Sequence, residues 1–126
     1  MPGVYEVFFR SGFSAAHLLR DYPGDCARLH GHNWTVEVYV ECRELDEIGI
    51  GIDFYDIDKA LKRIMAEMNH CNLNDLPAFK DRNPTSENLA RYVYRELSGI
   101  LDAPAIKVVK VKVCETPDAG VTYREE

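Results

Sequence analysis

From Trp34 to Cys42 the chain alternates. Trp34, Val36, Val38, Val40 and Cys42 fall on one side, and Thr35, Glu37, Tyr39 and Glu41 on the other. Successive side chains of a strand point to opposite faces, so this pattern predicts an antiparallel strand with one buried face. Val4 to Phe13 is rich in aromatic and β-branched residues and predicts an earlier strand, with less regular alternation. The two can pair as a hairpin with a long connection, whose Asp21–Asp25 segment carries Pro23 and Gly24. The period then changes. Phe54, Ile57, Leu61, Ile64, Met65 and Met68 recur at helical spacing behind Asp53, a candidate N-cap. Asn69 to Asn83 has neither period and contains Pro77. A second helix is predicted after Pro84-Thr85-Ser86-Glu87, capped by Thr85, with Leu89, Tyr92, Val93, Leu97 and Ile100 as its apolar face. Ile106 to Cys114 predicts a third strand. Its apolar register slips between Val108 and Val109, the mark of a β-bulge. Val121 to Tyr123 predicts a short fourth strand.

The element order is ββααββ. Strands first and last with helices between them imply an α+β fold, an antiparallel sheet with two helices on one face. The 126 residues suit a single domain, 1–126, with a real hydrophobic core. A net charge of −6 argues against nucleic-acid binding through a broad basic surface. No stretch has the apolar length of a membrane span, and the start lacks the pattern of a signal peptide. Four cysteines, Cys26, Cys42, Cys71 and Cys114, contain no CxxC pair, so reduced thiols in a cytoplasm are expected rather than two disulfides.

The candidate chemistry gathers in Cys26-Ala27-Arg28-Leu29-His30-Gly31-His32. Histidines at i and i+2 of an extended segment face the same side, and neutral imidazole is a common zinc ligand. His17, after Phe13-Ser14-Ala15-Ala16, meets them if the first two strands pair. Three histidines with an open fourth position is a catalytic zinc arrangement. The competing reading is a chance H-x-H pair with an ordinary core histidine. Cys26 beside a cation would favour thiolate and serve as base or nucleophile; a free cysteine is otherwise a small buried residue. His70, in Asn69-His70-Cys71, is the remaining histidine for proton transfer, or a helix-terminal histidine favoured by the macrodipole. Cys71 is a second candidate thiol. Glu115 follows the third strand. A carboxylate there can accept two hydrogen bonds from the amidine-like edge of a pterin or guanine ring, or it is a solvated turn residue. Asp53, Thr85 and Ser86 are explained as helix caps. Lys107, Lys110 and Lys112 form a solvated sheet face or a basic lining for a polyphosphate.

Taken together, Phe13-Ser14-Ala15-Ala16-His17, Cys26-x-x-x-His30-Gly31-His32-Asn33, Asn69-His70, Pro84-Thr85-Ser86-Glu87-Asn88 and Glu115 resemble the family of 6-pyruvoyl- and 6-carboxy-tetrahydropterin synthases. The match spans nearly the whole chain. The short gap between Cys26 and His30 resembles the 6-carboxy branch of queuosine biosynthesis. The resemblance implies a tunnelling fold, in which subunits join into a barrel, commonly a hexamer of two stacked trimers with active sites between subunits. It implies Zn2+ on His17, His30 and His32, a catalytic pair of Cys26 and His70, and Glu115 anchoring the pterin with help from Thr85 and Ser86. The implied reaction converts 7,8-dihydroneopterin triphosphate to 6-carboxy-tetrahydropterin, acetaldehyde and triphosphate. The pyruvoyl branch releases triphosphate without acetaldehyde.

One position departs from the pattern. The family has Asp-His where this chain has Asn69-His70. An asparagine accepts a hydrogen bond but carries no charge, and the equivalent exchange in serine proteases lowers turnover about 10⁴-fold. A zinc protein that holds a pterin without turnover is therefore a third reading.

Overall fold

The computed structural model describes residues 3–126. Strand β1 (Tyr5–His17) and strand β2 (His30–Cys42) pair antiparallel along their whole length, from Tyr5 opposite Cys42 to His17 opposite His30. The first strand is thus four residues longer at its C-terminal end than its apolar content suggested. Ser14, Ala15, Ala16 and His17 are paired by the partner strand rather than by their own propensity. Helix α1 (Phe54–Met65) starts where Asp53 accepts a hydrogen bond from the Tyr55 amide. Helix α2 (Ser86–Leu101) starts where Thr85 accepts one from the Asn88 amide.

Asn69 to Asn83, expected to be irregular, contains a two-residue strand, β3 (Cys71–Asn72), and two 3-10 turns. Strand β3 runs parallel to β1 at Ala15 and Ala16. The order is therefore ββαβαββ, and the sheet, β3-β1-β2-β4-β5, is antiparallel except at that one edge. Strand β4 (Ile106–Thr116) outruns its expected end at Cys114, and β5 (Ala119–Tyr123) begins two residues before Val121. The bulge falls where the register predicted it: Tyr39 opposes Lys110 and Val40 opposes Val108, leaving Val109 as the extra residue.

All five alternating residues of β2, from Trp34 to Cys42, are buried. They pack with Val108, Val111 and Val113 of β4, with Ile57, Leu61 and Ile64 of α1, and with Leu89, Val93 and Leu97 of α2. Burial of this kind stabilises by roughly 1.5–3 kcal/mol per large apolar side chain. Two helix-face assignments change. Ile100 and Phe54 are exposed, whereas Ala90 and Tyr94 are buried. Tyr94 turns inward against Tyr123 of β5, with ring centroids 5.3 Å apart. None of the four cysteines forms a disulfide. Among the described residues, no helix is long and apolar enough to cross a membrane.

Candidate metal centre

The inward face of the sheet changes character at one end. Residues 13, 15 and 17 of β1, and 30, 32 and 34 of β2, share the buried parity. Phe13 and Trp34 stack there with centroids 5.9 Å apart and planes within 6°. Beyond Trp34 the apolar residues give way to His17, His30 and His32. Their ligand nitrogens all lie within 4.8 Å of one another. Trp34 forms the floor, edge-on to His17 at 4.9 Å and to His32 at 5.1 Å between centroids.

Two backbone carbonyls set the tautomers. His17 Nδ1 lies 2.7 Å from the Pro84 carbonyl, and His30 Nδ1 lies 2.7 Å from the Arg28 carbonyl. A carbonyl only accepts, so each Nδ1 carries the proton and each Nε2 keeps its lone pair. This is how metal-ligating histidines are held. His17 is 1 % exposed. Burial pushes its imidazole below the ordinary value; the Pro84 hydrogen bond opposes this, and His30 adds to it. A neutral ring is the form that ligates. The Nε2 atoms of His17 and His32 are buried and have no hydrogen-bond partner. An unpaired buried polar atom costs about 1–3 kcal/mol, and a cation shared by the three rings removes that cost. The donor set therefore fits a metal ion.

Glu115 joins the cluster through a second irregularity. Cys114 opposes Gly120 and Thr116 opposes Ala119, so Glu115 is an unpaired residue in β4. It lies within the strand, not after it. Its carboxylate oxygens stand 3.9 Å from His17 Nε2 and 3.7 Å from His32 Nε2.

A family profile described as 6-pyruvoyl tetrahydropterin synthase matches residues 6–126. The chain belongs to that family. A 6-carboxy-5,6,7,8-tetrahydropterin synthase of Bacillus subtilis is 35% identical, over 98% of this chain and 87% of its own. The human 6-pyruvoyl tetrahydrobiopterin synthase is 36% identical, over 96% and 92%. The Caenorhabditis elegans 6-pyruvoyl tetrahydropterin synthase superposes with a TM-score of 0.87 at 28% identity, covering 98% of this chain and 97% of its own. The architecture is thus the tunnelling fold.

Within this family fold the remaining candidates are placed less tightly. A cleft of about 570 Å³ is lined by Ser14, Asn33, His70, Cys71 and Asn72 and meets the metal centre at His32. His70 is exposed and has φ 59°, in the left-handed region that few non-glycine residues adopt. Its amide donates to the Ser14 carbonyl. The Asn69 carboxamide oxygen accepts from the Ser14 amide at 3.0 Å, so that oxygen is committed to β1. Cys26 lies in a 3-10 turn of the β1–β2 connection, tied by the Leu19 amide to its own carbonyl at 2.8 Å. It is not in the cleft lining, whereas Cys71 is. Thr85 caps α2, and Ser86 is 8 % exposed one residue further on. Both follow Pro84, the residue that holds His17.

Sequence reasoning missed the two carbonyls and the Ser14–Asn33 pair, whose side chains are 2.7 Å apart. Backbone acceptors carry no residue signature. Trp34 was legible as core, and its shared parity with His32 was the sign that it also underlies the site.

Proposed function

We propose that the protein is a zinc-dependent 6-carboxy-5,6,7,8-tetrahydropterin synthase that acts on 7,8-dihydroneopterin triphosphate and releases acetaldehyde and triphosphate. The observation that carries this reading is the convergence of His17, His30 and His32 with two buried, unpartnered Nε2 atoms. The Bacillus subtilis relative and the short Cys26-to-His30 spacing favour the 6-carboxy reaction.

In this reading the three histidines hold Zn2+ through Nε2. When bound, zinc supplies fixed positive charge that stabilises negative charge developing on the substrate's side-chain oxygens. Glu115 accepts hydrogen bonds from the amidine-like edge of the ring and fixes the side chain toward the histidines. Thr85 and Ser86 add hydroxyls from the start of α2. The Cys26 thiolate takes a proton from the carbon beside the ring. His70 carries a proton at a ring nitrogen on the other side, driving elimination and carbon–carbon cleavage, with Asn69 as its neighbour.

The chain works as one domain, 1–126, in the cytoplasm, on a small pterin and with no nucleic-acid or membrane partner. It assembles as a hexamer of two trimers with sites between subunits. Strand β1 supports this: among the described residues its outward edge has a strand partner only at Ala15 and Ala16, and unpaired edges invite pairing.

Product analysis of the zinc-loaded protein with the triphosphate substrate tests the reading. Acetaldehyde and 6-carboxy-tetrahydropterin are the expected products. Triphosphate without acetaldehyde identifies the 6-pyruvoyl reaction, which the human relative, at 36% identity against 35% for the Bacillus subtilis protein, favours. Retained, unchanged ligand identifies a binding protein, which Asn69 favours.

A further inference from the structure

We propose that the Glu115 carboxylate is the fourth metal ligand of the substrate-free protein, and that it leaves the ion to receive the pterin ring. The inference rests on the metal reading above and goes beyond the anchoring role.

The geometry carries it. Glu115 faces the unpartnered Nε2 atoms of His17 and His32. His17 must hold its proton on Nδ1, because the Pro84 carbonyl accepts there, so its Nε2 offers a lone pair. A carboxylate also only accepts. Two acceptors aimed at each other in a protein interior repel unless a cation lies between them. Yet the oxygens stand 3.9 and 3.7 Å from the two Nε2 atoms, too far for a direct hydrogen bond. Ligands around one tetrahedral zinc, at bonds of 2.0–2.1 Å, are separated by about 3.3 Å. The carboxylate therefore sits a few tenths of an ångström outside the spacing of co-ligands. Its distances to His17 and His32 are shorter than the 4.8 Å that bounds the three histidines among themselves.

The backbone aims it there. The register slip that leaves Glu115 unpaired places it one residue past Cys114, which opposes Gly120. Bulges re-aim side chains beside sites. The side chain is a third exposed, against 1 % for His17 and 18 % for His32. It is more exposed than either histidine it faces, and so open to an arriving ring that can draw it off. A carboxylate pairing with the amidine-like edge gains two hydrogen bonds as it gives up one ligand bond. The vacated position then faces the substrate side chain.

Cobalt(II) reports this without turnover. Metal-free wild type and Glu115→Gln are loaded with cobalt(II), the visible bands are recorded, and dissociation constants are measured against a chelator. The expected result is altered bands in Glu115→Gln and a dissociation constant raised at least about tenfold, the least that even an outer partner of a metal ligand contributes. Saturating pterin, a ring with no side chain to reach the ion, should shift the wild-type bands and leave those of Glu115→Gln in place. Uptake with identical bands and affinities in both proteins overturns the inference and spares the metal reading. No uptake by wild type overturns both. Bound pterin with unchanged wild-type bands overturns the hand-over. Circular dichroism of the metal-free forms checks folding, and Glu115→Asp, whose shorter carboxylate falls short of the ion, makes the same comparison if the glutamine variant does not fold.

Discussion

The histidine cluster and the His70 turn meet the same end of β1 but are built in opposite ways. His17 is buried, hydrogen-bonded at Nδ1 to Pro84, edge-on to Trp34, and paired directly with His30 across two thirteen-residue strands. His70 is exposed on a turn, in a left-handed backbone conformation. A cation needs its donors fixed before it arrives, and the interior of a long paired ladder supplies that. A proton carrier must adjust to a substrate that enters later. Strained backbone at such a residue persists only where its surroundings hold it. Here the hold comes from Ser14, whose amide and carbonyl bind Asn69 and His70 respectively.

The strongest way to break the comparison is to exchange the two losses. His17→Ala should abolish turnover and weaken metal binding by more than about 100-fold, beyond what perturbing a supporting hydrogen bond does. It should also lower unfolding stability by roughly 2–3 kcal/mol, because it opens space over Trp34 and leaves the Pro84 carbonyl unpaired. His70→Ala should lower turnover by about 10²–10⁴-fold and leave metal affinity unchanged. His70→Asn should be as inactive, yet at least as stable as wild type, since asparagine tolerates the left-handed region. Chelator competition and urea unfolding give these numbers. Metal loss in His70→Ala equal to that in His17→Ala would erase the distinction.

The two regions also differed in how far they could be read from sequence. Alternation fixed β2 residue by residue, and parity then put His30 and His32 on the face of Trp34. The slip at Val108–Val109 foretold its bulge. The second irregularity, at Glu115, had no apolar register to betray it, because a carboxylate marks neither face. Strand β3 was invisible: two residues, Cys71 and Asn72, have no period, and their pairing with Ala15 and Ala16 is a tertiary event. The direction of the Asn69 side chain was hidden for the same reason. Its partner, the Ser14 amide, lies 55 residues away.

That partner sharpens the Asn69 question. Aspartate would accept the Ser14 hydrogen bond equally well, so Asn69→Asp should leave stability within about 0.5 kcal/mol. The added charge beside His70 should raise turnover about tenfold by favouring the charged imidazole. An unchanged rate would mean that the carboxamide serves the β1 edge alone.

The smallest expected effect is on the metal-free protein and concerns pH. Burial holds the folded-state value of His17 below the ordinary imidazole value of 6.5. As pH falls through about 6.5, the unfolded chain takes up a proton that folded His17 refuses. Stability therefore rises with pH in that window, and it declines as pH drops from about 6.5 to the lowered folded value. Below that value both states are protonated and this contribution to the slope vanishes. His30 and His32 face the same ring, so a proton on either also opposes a proton on His17. Urea unfolding of the chelated protein between pH 5 and 8 should show the decline, and His17→Gln should flatten it. A metal-free protein whose stability holds steady or grows toward pH 5.5 would show that His17 is not held neutral, and the cluster would then be no better prepared for a cation than the exposed turn.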